Sequence, residues 1–247
     1  MRLLDFSFGT WISTGSPVVA ELATQYPFDW LLIDLEHGAT TEASLPDILR
    51  AVSHRSPAII IRIPELSPSL INRALDWGAD GIMLPHVRSA SEAAHCVQAM
   101  HYPPVGTRGY SSSVRAYGYG TTPPTDPLTI RPLLFAQIED TAGVVDADAI
   151  AAVDGVDVLF VGPADLKLAL SADTTPQQLT FEEALHQVAS AAKAHGKRAG
   201  ILLRDHAHVR LMQSQGYTCI AVDSDLALLR QGYERLSELF SKKNGAR

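Results

Sequence analysis

Short runs of apolar and β-branched residues recur along the whole chain, each followed by a stretch in which apolar residues return every three or four positions. The runs are Phe8–Ile12, Trp30–Asp34, Ala58–Ile63, Gly81–Leu84, Leu133–Ile138, Val156–Val161, Arg198–Leu202 and Cys219–Val222. Several are unbroken, such as AIII in the third and VLFV in the sixth. Unbroken runs suit parallel strands covered on both faces better than half-exposed antiparallel ones. Between them the helical period is kept, by Leu45, Ile48, Leu49 and Val52 and again by Ala184, Leu185, Val188, Ala189 and Ala192. Strand–helix alternation repeated in this way predicts a parallel sheet, and its commonest closed form is the (β/α)8 TIM barrel. The expected class is α/β, with a single domain over 1–247. An open doubly wound sheet would bring a Gly-rich phosphate loop after the first strand. That position reads Thr14-Gly15-Ser16-Pro17, which favours the barrel.

One segment breaks the rhythm. From about 102 to 132 the chain is rich in Gly, Pro, Ser and Tyr. An insertion of this length inside a compact domain predicts a lid or an interface. Because it precedes the fifth strand, its ends belong to the N-terminal face of the barrel. Arg108, Arg115, Tyr110, Tyr117 and Tyr119 within it argue against a plain surface loop.

Composition narrows the class without changing it. Hydrophobic residues make up 46% of the 247 and charged ones 19%, enough for a large core and too apolar for disorder. The net charge is −7 with Lys and Arg scattered, which argues against nucleic acid and anionic membrane surfaces as partners. No run approaches the roughly 18 apolar residues of a membrane span. The start of the chain lacks the apolar stretch of a secretion signal. Cys96 and Cys219 are far apart and belong to no CxxC pair, so they read as thiols in a reducing compartment. The expected location is cytoplasmic.

In a barrel of this kind chemistry sits where strands end. The second strand runs into Asp34-Leu35-Glu36-His37-Gly38, the third ends in Arg62, the fourth in Pro85-His86, the fifth in Gln137-Ile138-Glu139, and the sixth enters Gly162-Pro163-Ala164-Asp165. Alone, Asp34 or Glu36 reads as a cap or rim salt bridge, His37 as a structural histidine, and Arg62 as a neutralising charge. Together they put acids, a base and an arginine on one rim. Glu139 and Asp165 are about one βα repeat apart and so fall on adjacent strands. Two carboxylates, with other oxygens completing an octahedron, suit Mg²⁺ or Mn²⁺. His206 and His208 do not share a helical face and are not expected to bind metal. His54, His95, His101, His186 and His195 read as surface residues.

The stretches GSPVVAELA (15–23), FDWLLIDLEHG (28–38), IRIP (61–64), LDWGADGIMLPHV (75–87), YPPVGTRG (102–109), QIED (137–140) and GVDVLFVGPADL (155–166) resemble the HpcH/HpaI aldolase family, metal-dependent pyruvate aldolases. The resemblance spans nearly the whole chain. It implies a barrel assembled into trimers or hexamers, with active sites near subunit contacts, and a divalent cofactor such as Mg²⁺, Mn²⁺ or Co²⁺. It implies reversible cleavage of a 4-hydroxy-2-oxo acid to pyruvate, or a related 2-oxo acid, and an aldehyde. By the same resemblance Glu139 and Asp165 are metal ligands, Arg62 stabilises the enolate oxygen, His37 transfers a proton and Asp76 is its carboxylate partner. Gln137 lies near the substrate oxygens, and the amides around Ala164 and Asp165 seat the pyruvate carboxylate. The chemistry is consistent, since retro-aldol cleavage leaves an enolate that needs a Lewis acid, a fixed cation and a base. Two stretches depart from the family pattern: Lys167 with 169–171, and the acidic Asp223-Ser224-Asp225. Asp76 precedes the fourth strand, so within one barrel it should lie far from His37, and contact is easier across a subunit interface.

Three other readings compete. A Schiff-base aldolase needs a desolvated lysine in the mouth, for which Lys167 is the candidate. A CoA-thioester lyase of the citrate lyase beta-like superfamily needs a cluster of cations for the CoA phosphates, and none is visible. A non-catalytic ligand-binding barrel would have no use for Glu139, Asp165, Arg62 and His37 together.

Overall fold

A computed structural model describes residues 5–53, 57–172 and 179–244. The eight apolar runs become eight parallel strands: β1 (Ser7–Ile12), β2 (Trp30–Asp34), β3 (Ala58–Arg62), β4 (Gly81–Leu84), β5 (Leu133–Ile138), β6 (Val158–Val161), β7 (Arg198–Leu203) and β8 (Tyr217–Ser224). They close in chain order, with β8 paired to β1. This is the expected (β/α)8 barrel. Five strands differ from the sequence reading at an end: β1 begins at Ser7 rather than Phe8, β3 ends at Arg62 rather than Ile63, β6 begins at Val158 rather than Val156, β7 ends at Leu203 rather than Leu202, and β8 extends in both directions beyond Cys219–Val222.

The helices are α1 (Pro17–Ala23), α2 (Leu45–Ala51), α3 (Pro68–Asp76), α4 (Ala90–Met100), α5 (Thr141–Val145), α6 (Ala147–Ala152), α7 (Pro163–Ala172), α8 (Phe181–Ala194), α9 (Val209–Ser214) and α10 (Asp225–Asn244). Their starts are written in the sequence. Pro17 opens α1 behind Ser16, whose hydroxyl accepts from the Val19 amide, and Thr180 with Glu183 forms a reciprocal capping box on α8. Alternation along each strand divides the apolar residues in two. One set packs under the helices with Ile33, Ile61, Leu134 and Val161. The other fills the barrel with Trp11, Trp30, Phe135 and Phe160, whose rings lie 5.4–6.2 Å apart. Trp30 fits because its register partner on β1 is Gly9, where an added Cβ would stand 2.2 Å from the indole.

The segment from 102 to 132 lies on the N-terminal face, as its position required. It carries two 3₁₀ turns, Arg115–Gly120 and Pro127–Thr129. Arg115 donates to the carbonyls of Trp77 and Leu49 at the ends of α3 and α2, and Tyr102 and Tyr117 share a hydroxyl hydrogen bond of 2.8 Å. His101, expected on the surface, is buried under this segment at 5% exposure. His95, His186 and His195 are exposed as expected, and His54 lies outside the described residues.

The last helix behaves differently from the others. Ala227 is buried, but Leu226, Leu229, Tyr233, Leu236 and Phe240 recur at alternating spacings of three and four and are all exposed. No described helix is long and apolar enough to cross a membrane.

Candidate active site

The polar residues at the ends of β2 to β6 meet on the C-terminal rim. Asp34 and Arg62 are register partners at the ends of β2 and β3, so their inward side chains face each other. Arg62 donates through Nε to Asp34 Oδ1 (2.9 Å) and through Nη2 to Oδ2 (2.6 Å). Asp34 Oδ1 also accepts from the Glu36 and His37 amides, which sets the turn that follows β2. Arg62 Nη1 stands 3.0 Å from Glu36 Oε2, yet that oxygen has no aligned hydrogen-bond donor. Burial pulls the guanidinium toward its neutral form. The bonds and charge of Asp34, with Glu36 and Glu139, outweigh this and raise its pKa. The bland reading of Arg62 is therefore partly true: it does neutralise acids.

Glu139 follows β5 and is 3% exposed. Its Oε1 accepts from the His86 amide at 2.7 Å and lies 3.1 Å from His86 Nδ1. Its Oε2 accepts from Gln137 Nε2 at 2.5 Å. Gly162 makes this possible, because a Cβ there would stand 2.4 Å from Glu139 Oε2. Burial raises the pKa of Glu139, and the charges of Asp165 and Glu36 add to the rise against the opposing effect of His86. A buried carboxylate beside two others is short of positive charge.

Those features fit a divalent cation. Gln137 Oε1 and Glu36 Oε2 are buried acceptors without a donor, and Asp165 stands in the first turn of α7, exposed. Among the described residues no three His, Cys, Asp or Glu side chains gather as a ready-made metal cage. Glu139 and Asp165 could supply two oxygen ligands, and hard cations accept other oxygen donors in the remaining positions.

The other expected site residues divide. His37 is on the rim, two-thirds exposed, with Nε2 3.8 Å from Glu36 Oε1. Ala164 is exposed in the first turn of α7, where backbone amides have no intrahelical acceptor. Asp76 is not on the rim. It ends α3 on the N-terminal face and accepts from Arg108 Nη2 at 2.7 Å. Arg108 is buried and stacks over the Tyr102 ring. Lys167 sets its ammonium 4.5 Å from the Phe181 ring centroid, at the start of α8.

Two rim residues not assigned to the chemistry from sequence wire the site together. Glu36 lies between Arg62, His37 and His86, the last at 3.5 Å. His86 bridges Glu36 and Glu139 and holds a left-handed backbone with φ 52°, a conformation rare outside glycine. The only signal for His86 was its place after the fourth strand.

The family model for HpcH/HpaI aldolase/citrate lyase matches residues 7–232. A protein named 5-keto-4-deoxy-D-glucarate aldolase from Salmonella arizonae is 37% identical over 235 residues, covering 95% of this chain and 92% of its own. Among solved structures, an HpcH/HpaI aldolase/citrate lyase family protein from Burkholderia cenocepacia superposes with a TM-score of 0.86 at 35% identity, over 95% of each chain. An HpcH/HpaI aldolase from Desulfitobacterium hafniense gives 0.85 at 25% identity, over 96% of this chain and 93% of that one.

Proposed function

Since the chain belongs to the HpcH/HpaI aldolase/citrate lyase family, we infer that it is an aldehyde-lyase that reversibly cleaves a 4-hydroxy-2-oxo acid to pyruvate, or a related 2-oxo acid, and an aldehyde. The observation that carries the reading is Glu139, a carboxylate held at 3% exposure beside Asp165 and Glu36 with no full charge partner of its own. A fold has no need of such a group, and a cation-dependent site does.

Glu139 and Asp165 hold a divalent ion, Mg²⁺, Mn²⁺ or Co²⁺. When bound, the ion supplies the Lewis acidity that a carbonyl and the derived enolate require. Arg62 brings a fixed positive charge to the developing enolate oxygen. Asp34 takes two of its N–H groups and Glu36 faces a third, so two of the five a guanidinium carries remain for substrate. Gln137 stands beside Glu139 to contact substrate oxygens. The Ala164 and Asp165 amides, with the positive end of α7 behind them, seat the pyruvate carboxylate. His37, exposed at the rim, takes the proton from the aldol hydroxyl on cleavage and returns it on addition.

Asp76 orients that histidine from a neighbouring subunit, because in its own chain it is held by Arg108 on the opposite face. The working protein is accordingly a homo-oligomer, a trimer or hexamer, and the exposed apolar stripe of α10 supports association. Cys96 and Cys219, both free and buried, with thiol pKa values pushed up to about 12 by burial, suit a cytoplasmic protein.

The test is pyruvate release from a panel of 4-hydroxy-2-oxo acids, measured on chelated protein and again after each ion is added back. Release that requires the ion supports the reading. Full turnover by protein stripped of metal contradicts it.

A further inference from the structure

The acidic end of β8, Asp223-Ser224-Asp225, has no part in the chemistry above. Asp225 has an architectural use. Its Oδ1 accepts from the Ser13 amide (2.8 Å), and its Oδ2 accepts from the Thr14 amide (3.0 Å) and hydroxyl (2.6 Å), which ties the end of β8 to the end of β1.

Asp223 is a different case. It is 3% exposed with φ 59°, in the left-handed region that a glycine would occupy freely. The β1–β8 register shifts beside it, so that Trp11 pairs with Ser224. Its Oδ2 accepts from Gln231 Nε2 at 3.1 Å, and its Oδ1 lies 3.7 Å from Arg204 Nη1. A buried carboxylate kept at a strained position implies a task for its side chain, and its cationic neighbour is Arg204. His206 Nε2 stands at 4.0 Å on the other oxygen.

Arg204 comes two residues after Leu202, which packs against the interior aromatic layer. Strand alternation therefore carries it to the mouth of the barrel. Its Nη1 donates to Ser224 Oγ at 3.2 Å, while the side chain remains 64% exposed. Ser224 pairs with Trp11, whose ring lies 5.7 Å from the Arg62 guanidinium, so the cluster borders the floor of the same mouth. The β2–β6 side of that mouth is dominated by Asp34, Glu36, Glu139 and Asp165. Arg62 is enclosed among them at 7% exposure. Arg204 offers an open cation on the opposite, β7–β8 side.

We infer that Arg204, positioned by Asp223 and Ser224, is the acceptor-side specificity determinant and grips a carboxylate at the far end of the aldehyde fragment. A planar guanidinium matches a carboxylate through two parallel N–H bonds. The position keeps that second anion away from the acids on the other side. The inference rests on the aldolase reading of the rim.

The experiment measures addition of pyruvate, with metal present, to two four-carbon acceptors, succinic semialdehyde and butanal. The readout is the ratio of kcat/KM for the charged over the neutral aldehyde. In Arg204→Gln the ratio falls about 10- to 100-fold, chiefly through KM of the charged acceptor. Arg204→Lys falls between, since it keeps the charge and loses the fork. Asp223→Gly, whose backbone suits glycine, lowers the ratio by less than Arg204→Gln does. A ratio that stays within about twofold in Arg204→Gln, or equal losses for both aldehydes, overturns the inference while leaving the aldolase reading intact. An unmoved ratio in Asp223→Gly alone removes Asp223 as the positioning residue. Wild-type protein that adds neither aldehyde to pyruvate overturns the aldolase reading and this inference with it.

Discussion

The two ends of the barrel both hold partly or fully buried carboxylates and use them for opposite purposes. At the N-terminal end, Asp29, Asp80 and Asp157 stand just before β2, β4 and β6. Each accepts an amide from the preceding strand: Phe8 at 2.7 Å, Ile59 at 2.8 Å and Leu134 at 2.9 Å. At the C-terminal end Glu139 shares its surroundings with Asp165 and Glu36. Burial raises the pKa of Asp80 and Asp157 just as it raises that of Glu139. A raised pKa alone therefore does not mark a site. The difference is in the partners. The lower acids satisfy amides that closure of the barrel leaves over, whereas the upper acids crowd one another, which stability alone would not favour.

The largest expected effect is at the top. Glu139→Gln should lower kcat by about 10³-fold or more, with no loss of thermal stability, because a charge short of partners is removed. A fall in Tm as large as that of a core mutant would instead make Glu139 a structural acid. Arg62→Lys should lower turnover about 100-fold and weaken pyruvate binding far less, since lysine keeps the charge without the planar fork. Loss of binding with turnover intact would reduce Arg62 to an anchor.

At the bottom the prediction inverts. Asp80→Ala and Asp157→Ala each orphan a strand amide and should cost about 1–3 kcal/mol, a Tm drop of about 2–4 °C per kcal/mol for a chain of this size, with kcat per folded molecule retained. Lost activity in a fully folded variant would erase the contrast between the two ends. Acidity offers a smaller test. The folded pKa of Asp80 lies above its ordinary value of 3.8, so the stability linked to its proton is fully present below 3.8 and is lost as pH rises through the folded value. Asp80→Asn keeps an acceptor for the Ile59 amide without that titration. Urea unfolding should show its stability gaining on the wild type as pH rises from about 3.8, and a constant difference would contradict the assigned cause. The smallest effect is expected at Lys167. Lys167→Ala should keep metal-dependent cleavage, and borohydride with pyruvate should leave the protein mass unchanged. A pyruvyl adduct there would move the chemistry to an imine.

The barrel was legible because its signal is local. Six-residue runs such as LLFAQI state their own environment. Sequence pattern ends β8 at Val222 because Asp223 and Ser224 look like a loop, yet both are buried and Ser224 pairs with Trp11. Glu139, Asp165 and Arg62 could be placed on one rim from their positions at strand ends. The wiring between them could not. Glu139 meets His86, 53 positions away, only because closure sets β4 beside β5. Arg108 meets Asp76, 32 positions away, only because the long segment folds back under the barrel. His101 is hidden by that same return, in which the Arg108 amide donates to its carbonyl. Periodicity reports which face of an element is covered, and it says nothing of the side chain that comes to cover it.

The contact between Gly9 and Trp30 also restricts how the sequence can change over time. Any side chain at position 9 would have to enter the space of the indole ring, while shrinking Trp30 alone would open a void costing about 3–5 kcal/mol. Neither substitution is tolerable first, although Gly9→Ala with Trp30→Leu conserves much of the volume and should cost less than the two separate losses combined. The two positions thus form one heritable unit. A lineage can leave it only by crossing a costly intermediate, and spare stability elsewhere in the barrel decides whether that crossing is open.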